Sequence, residues 1–283
     1  MSRSRSRYQV IRADRTRQGV DTDVVIDVAD ARNVAATMDA VRPDTVVLLA
    51  AVSDIDRCQR EPELAKAVNL CGAEYVAEAC ARSGAQLLFT STGAVFDGLK
   101  QGYSEEDEVS PLSVYGDTKA RAEVVVQALV PSAIVLRVSL VVGKSGRAET
   151  NSLLDGMMRR WNSGGVVSAS AVESRNPIDA GTLSQWMLEL LADKRNRGVF
   201  HTGATEAMTR YELARAFADR LHVTGQQVKP ELTSASERAP RGVHHLLLTG
   251  KINSVCATQA PTCSEVIERS LNEVAEGSLR VGV

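Results

Sequence analysis

Short runs of β-branched and other apolar residues alternate with longer amphipathic stretches through the first half of this chain, and that rhythm constrains its fold more than any other feature. Residues 8–11, 24–28, 45–50, 86–90 and 134–138 have the composition and length of strands. Residues 31–41, 62–83 and 114–129 lie between them with helical spacing of their apolar positions. Strands separated by helices of this length build a parallel sheet wrapped by crossover helices, so the expected class is α/β with a doubly wound sheet. The stretches 45–50 and 86–90 are apolar almost throughout, as strands covered on both faces are.

Beyond Ser139 the rhythm loosens. A loop with Gly143 and Gly146 precedes a helix at 152–161, Gly164 and Gly165 break it, and Pro177-Ile178-Asp179 opens a helix that runs to Ala192. A strand at 198–201, a helix at 209–221 and a final helix at 264–275, N-capped by Thr262 or Ser264, complete a second, smaller subdomain. No internal repeat is present.

The 283 residues are 44% apolar and 24% charged, enough to close one large core or two modest ones without disulfide or metal staples. Lys and Arg total 33 against 35 Asp and Glu, a formal charge of -2, which gives no electrostatic reason for a nucleic-acid or membrane partner. A small-molecule ligand is the expectation, and a homodimer is compatible with it. Five cysteines without a Cys-x-x-Cys pair read as reduced thiols of a cytoplasmic protein. The longest apolar run, 45–52, is too short to span a bilayer, and no apolar block follows the N-terminus as a secretory signal requires. The alternating Ser and Arg of residues 1–7 read as a disordered basic tail rather than a transit peptide.

In open α/β sheets ligands bind beyond the C-terminal ends of the strands, here residues 50–56, 91–98 and the loop after Val138. Tyr115 and Lys119 stand four residues apart, hence on one helical face, shortly after the strand end Thr90-Ser91-Thr92. A free phenol titrates near about 10, and a neighbouring ammonium is expected to favour the phenolate, bringing the group towards the pH at which acid–base transfer is efficient. Tyr115 would protonate a carbonyl oxygen as hydride arrives, a hydroxyl of Thr92 or Ser91 would hold that oxygen, and Lys119 would reach the cofactor ribose. The Tyr-x-x-x-Lys spacing alone arises often by chance; its place after a Ser-Thr strand end in an α/β rhythm gives it weight. Gly143-Lys144-Ser145 is not a phosphate loop, because Val138 stands where the first glycine is needed. His244-His245 lacks neighbours at metal-ligand spacing and reads as surface or packing, so no metal is expected.

Longer segments carry a family resemblance. They are Leu49-Ala50-Ala51-Val52-Ser53-Asp54-Ile55-Asp56-Arg57-Cys58 with Glu61-Pro62-Glu63 and Val68-Asn69, then Ser91-Thr92 with Val95-Phe96-Asp97-Gly98, and Tyr103, Glu105 and Pro111-Leu112-Ser113-Val114-Tyr115-Gly116. They resemble the extended short-chain dehydrogenases/reductases of the NAD-dependent epimerase/dehydratase superfamily, and most of all the dTDP-4-dehydrorhamnose reductase group. The match runs from about Tyr8 to the C-terminus and is strongest between Val46 and Glu123. The resemblance implies a Rossmann-like sheet, with a truncated dinucleotide-binding domain over 8–150 and a mainly substrate-binding subdomain over 151–283, some of whose elements return to the first. It makes Thr92, Tyr115 and Lys119 the catalytic hydroxyl, the general acid and the ribose-holding lysine. Asp27, Ala50, Ala51, Asn69 and Ser91, with Tyr115 and Lys119, would contact the cofactor. Arg137-Val138-Ser139 would lie beside the nicotinamide site, and Asn151 and Arg175 would meet the nucleotide sugar.

Three departures stand out. No glycine precedes Gly19, so the family's first strand and its Gly-x-x-Gly-x-x-Gly turn, which cradles pyrophosphate at the centre of the sheet, are missing. Either this start lies downstream of the true one or ordinary cofactor binding has been given up; the first is the expectation, because losing a central strand bares edges and core. Gly93-Ala94 replaces the usual Asp-Tyr, and Leu140-Val141-Val142-Gly143 replaces a common aromatic pair, so substrate identity stays open. The lack of an acidic pair after Thr92 argues against the related 4,6-dehydratases, whose elimination needs a second acid and base. Arg15 and Arg17 suit a cofactor 2′-phosphate whereas Asp14 suits a free ribose, so the cofactor is NADPH or NADH with NADPH preferred.

The expected activity is NAD(P)H-dependent reduction of a keto group on a nucleotide-linked deoxysugar. A sugar-nucleotide epimerase is the enzymatic rival. The rival of another class is a non-catalytic regulatory subunit, since the methionine adenosyltransferase regulatory subunit resembles this same group.

Overall fold

In the computed structural model the described residues are 8–16, 22–145, 152–223, 227–232 and 238–278. The expected tail at 1–7, Arg17, Gly146 and Asn151 lie outside them.

The chain enters its fold through two short strands, β1 (Ala13–Asp14) and β2 (Val24–Val25), paired in parallel with each other. Residues 8–11, expected as a strand, have no assigned pairing; the ladder begins at Ala13, where Val24 supplies a partner. Helix α1 (Ala31–Val41) starts where the Asp30 carboxylate accepts from the backbone N–H groups of Arg32 and Asn33, and it buries Val34 and Met38 one turn apart. Strand β3 (Thr45–Leu48) follows, then α2 (Ile55–Arg60), capped by Asp54. The expected single helix over 62–83 is one helical run with an irregular middle: α3 (Pro62–Ala65), a wide π turn (Lys66–Cys71) and α4 (Gly72–Ser83).

Strand β4 (Gln86–Thr92), a 3-10 turn (Gly93–Val95), helix α5 (Val114–Leu129) and strand β5 (Ile134–Val138) complete the first half. Strand β6 (Leu140–Val142), helix α6 (Leu153–Asn162), strands β7 (Val167–Ser170), β8 (Ser174–Arg175) and β9 (Pro177–Asp179), and helix α7 (Ala180–Ala192) come next. The expected helix start at Pro177 is therefore corrected to a strand. Its three residues pair with β6, its proline sits first, where a missing N–H is tolerated, and Asp179 caps α7 by accepting from Thr182 N at 2.7 Å. Strand β10 (Gly198–Thr202) then returns to the main sheet, followed by β11 (Met208–Thr209), α8 (Arg210–Arg220), β12 (Val228–Glu231), β13 (His244–His245), α9 (Gly250–Val255) and α10 (Cys263–Ser278). Thr262 is the cap of α10: its hydroxyl accepts from Glu265 N at 3.2 Å while the Glu265 carboxylate accepts from Thr262 N.

The main sheet is parallel, in the order β10-β5-β4-β3. Its strands are buried on both faces. Leu87, Phe89 and Val135 meet α1, α4 and α5 on one side, while Leu88, Ile134 and Leu136 meet Trp186, Leu190 and Ile252 on the other. Each such side chain stabilises the fold by about 1.5–3 kcal/mol. A further core joins α6, α8, β7, β12 and α10 through Trp161, Phe217 and Ile267. The sheet is in two pieces: β3 pairs only with β4 and β1 only with β2, although Ile26 and Val28, just past β2, pack on the same core as Val46. Among the described residues Val25 and Leu49 remain 41% and 54% exposed at this break. None of the described helices is long and apolar enough to cross a membrane.

Candidate active site

The C-terminal ends of β3, β4 and β5 open on one side, and the start of α5 lies against them. Ser113 caps α5 by accepting from Gly116 N at 3.2 Å, and Thr92 caps the following 3-10 turn by accepting from Ala94 N at 3.1 Å. The two capped starts touch: a Cβ on Gly116 would strike the Ala94 carbonyl oxygen, so only glycine lets the helix sit this close. That contact sets the Tyr115 phenol beside the Thr92 hydroxyl, which acts to lower the phenol's pKa. The structure thus brings together Thr92, Tyr115 and Lys119, the three residues singled out for chemistry.

Their electrostatics differ from the expectation. Desolvation pushes the half-buried Tyr115 phenol up to about 12, against the lowering effect of the Thr92 hydroxyl. Lys119 does not pull it down, because the ammonium lies in the core, 4.0 Å from the centroid of the Phe89 ring, on a side chain 2% exposed. Burial lowers Lys119 to about 7, and the carboxylate of Glu123 one turn on acts in the opposite direction. Tyr115 is therefore a neutral proton donor at physiological pH.

Beneath this pair runs a buried charge network. Glu123 accepts from Arg137 Nε at 3.0 Å and Nη2 at 2.7 Å, and from the Ser91 hydroxyl. Ser91 is thereby committed to Glu123, which leaves Thr92 as the hydroxyl facing Tyr115. Arg137 also meets His201 Nε2 at 3.3 Å and stacks on Phe96 at 5.0 Å. Burial and the Arg137 charge drive His201 down to about 3, so its ring is neutral and Nδ1 donates to the Tyr103 carbonyl.

The remaining expected positions fall as follows. Ala50 is exposed and Ala51 half-buried in the loop after β3. Asn69, in the π turn, accepts from Val52 N at 2.8 Å and donates to Val52 O and Thr118 Oγ1, so it braces that loop from below. Asp27 accepts from Ala29 N at the end of β2, and Arg15 is exposed just after β1.

Arg175 belongs to a cluster that sequence spacing did not reveal. Its guanidinium donates to the Gly242 and Val243 carbonyls and lies 3.7 Å from Glu173, while Arg238 lies 3.6 Å from the same carboxylate and Arg210 and Arg241 act on Arg175 electrostatically. Arg241 pairs with Asp56 of α2, whose carboxylate also accepts from Ala239 N. Four guanidinium groups thus face two carboxylates, and Glu173 Oε1 and His245 Nε2 are buried without hydrogen-bond partners. His245 is a packing histidine, as expected, held in β13 against Gly242. Gly98, at φ +75°, presses on Gly242, so the cluster abuts the loop that follows β4. No group of residues able to hold a metal ion occurs among the described residues.

Comparison with known proteins places this geometry in a family. Residues 4–276 match the family model described as the RmlD substrate binding domain. A dTDP-4-dehydrorhamnose reductase of Sinorhizobium fredii is 30% identical over 254 residues, covering 86% of this chain and 84% of that protein. Methionine adenosyltransferase 2 subunit beta of Xenopus laevis is 27% identical over 220 residues, 76% of this chain and 66% of its own. Among solved structures, dTDP-4-dehydrorhamnose reductase from Bacillus anthracis in complex with NADP superposes with a TM-score of 0.80 at 24% identity, over 89% of each chain, which shows the shared fold.

Proposed function

The chain belongs to the RmlD substrate-binding-domain family, and on that footing we propose that it is an NADPH-dependent reductase of a keto group on a nucleotide-linked deoxysugar. The observation that carries this reading is the packing of the start of α5, which bears Tyr115 and, one turn on, the buried Lys119, against the capped strand end at Thr92. The residues fit the nicotinamide end of such a cofactor in part: Thr92 and Tyr115 offer two hydroxyls, while Lys119 is buried one turn on. For the diphosphate end, no glycine-rich turn occurs between β1 and β3. When bound, the reduced nicotinamide supplies the hydride. Tyr115 gives its proton to the keto oxygen as negative charge develops there, and the Thr92 hydroxyl donates a hydrogen bond to the same atom. Lys119, buried against Phe89 one turn along α5, would have to leave that ring to meet the ribose.

The arginine cluster supports a nucleotide-linked substrate. Excess guanidinium charge in this cluster matches a diphosphate, and Arg175 and Arg210 are half-buried members of it. The five unpaired cysteines fit a reducing cytoplasm.

The test is oxidation of NADPH by the purified chain in the presence of dTDP-4-dehydrorhamnose, beside calorimetric titration with NADPH and NADH. Turnover that disappears in Tyr115→Phe is the expected result. Interconversion of epimers without net cofactor consumption would favour a sugar-nucleotide epimerase. The likeness to methionine adenosyltransferase 2 subunit beta favours one further reading, a non-catalytic regulatory subunit; absence of cofactor binding, with partner regulation intact in Tyr115→Phe, would establish it instead.

A further inference from the structure

Helix α5 carries a third buried polar side chain in register with Tyr115 and Lys119. Glu123 follows Lys119 by four residues, so the three share one face of the helix, and Glu123 is 3% exposed. Its carboxylate is held by partners on two strands: Arg137 of β5 donates through Nε and Nη2, and Ser91, the residue before Thr92, donates its hydroxyl. Arg137 is in turn fixed by Phe96 and by neutral His201 of β10. The whole chain of contacts lies in the core, where an ion pair is only weakly screened.

We propose that Glu123 is a positioning residue for the reductase reaction: through Ser91 and Arg137 it locks the helix bearing Tyr115 and Lys119 against the strand end bearing Thr92, and it is the carboxylate one helical turn from Lys119. The inference rests on the reductase reading. Lys119 itself packs on Phe89 of β4; Ser91 and Arg137, with His201 beyond it, surround Glu123, and Cys58 of α2 acts on Tyr115. Among these only Glu123 contributes negative charge to Lys119, and it opposes a burial effect that brings the ammonium to about 7. Without that carboxylate Lys119 deprotonates at a lower pH, and the buried cation one turn below Tyr115 is lost.

The experiment follows Lys119 directly. Protein labelled with 13C at lysine Cε is titrated by NMR, with the Lys119 signal assigned from Lys119→Arg, in the wild type and in Glu123→Gln. The expected result is a fall in the Lys119 midpoint by about one pH unit or more. Alongside it, kcat at pH 7.5 should fall about tenfold, recover towards pH 6, and leave KM for the sugar within about twofold. A midpoint unchanged in the folded variant, or a kcat loss equal at every pH, overturns the proposal. Should Glu123→Gln not fold, Glu123→Leu/Arg137→Met, which removes the pair together, is read by the same criterion. Because the titration needs no turnover, a wild type without reductase activity refutes the functional reading, whereas an unmoved Lys119 refutes only the part assigned to Glu123.

Discussion

A phenol raised to about 12 holds its proton across the physiological range, so Tyr115 can act as an acid but not as a resting phenolate. Tyr115→Phe is therefore expected to lower kcat by about 10²–10⁴-fold while NADPH affinity, measured by calorimetry, stays within about threefold. Lys119 allows a second prediction in which the sign is fixed by linkage. Its folded pKa of about 7 lies below the unfolded value of 10.5, so between those values the unfolded chain binds a proton that the folded chain has released. Stability then rises with pH across that window, and the cost of burying the ammonium is complete only below about pH 7. Lys119→Met should thus melt higher than wild type by roughly 4 °C at pH 6, a gain that shrinks towards pH 10 in calorimetric scans. Tyr115 and Lys119 were legible in the sequence because both sit on one helix within five residues of each other. Glu123 was not, since its partners Arg137 and Ser91 lie 14 and 32 residues away and only folding puts them side by side.

The same contrast between local and long-range signal explains which elements could be read. Helix α1, helix α5 and strand β5 begin and end where sequence spacing puts them, because their caps and apolar periodicity are contained within each segment. Strand β9 was misread since Pro177 and Asp179 are also good helix-start residues; only the pairing with β6, set 37 residues earlier, decides the matter. The π turn at Lys66–Cys71 was likewise unreadable, as its reason is tertiary: Asn69 within it reaches Val52 and Thr118. The division of the sheet has a measurable consequence. Strands β4 and β5 are paired on both sides and buried, whereas β1 and β2 are two residues each, with β1 exposed or half-buried and an open edge beside it. An isolated pair of this size is only marginally stable. Amide exchange followed by mass spectrometry should show the β1–β2 segment exchanging at least about 100-fold faster than β4 and β5, which open only with global unfolding. Equal protection in both segments would mean that the two pieces form one cooperative sheet.

Over the whole molecule, the residues proposed for chemistry come from the first half and those proposed for the substrate's charge come from the second, and the two sets meet through a few fixed contacts. Arg241 pairs with Asp56, Ala239 N donates to the same carboxylate, and Gly98 rests on Gly242, so the loop bearing Arg238 and Arg241 is fastened to the mouth of the parallel sheet. A net charge of -2 gave no hint of this, because composition averages over a surface on which four arginines gather around Glu173. Arg175 was anticipated from the family pattern, but Arg210, Arg238 and Arg241 carry no motif and are united only by the packing of β8, α8 and the 238–243 loop. If that excess charge receives a diphosphate, Arg210→Met should raise KM for the nucleotide sugar about tenfold or more, with kcat at saturation and NADPH affinity little changed, since the loss falls on binding alike in ground and transition states. The wild-type KM should also rise with ionic strength more steeply than that of the variant, as one of the screened partners has been removed. An Arg210→Met enzyme with an unchanged KM and salt response would show instead that the arginines serve Glu173 and the loop, and that the phosphates are held elsewhere.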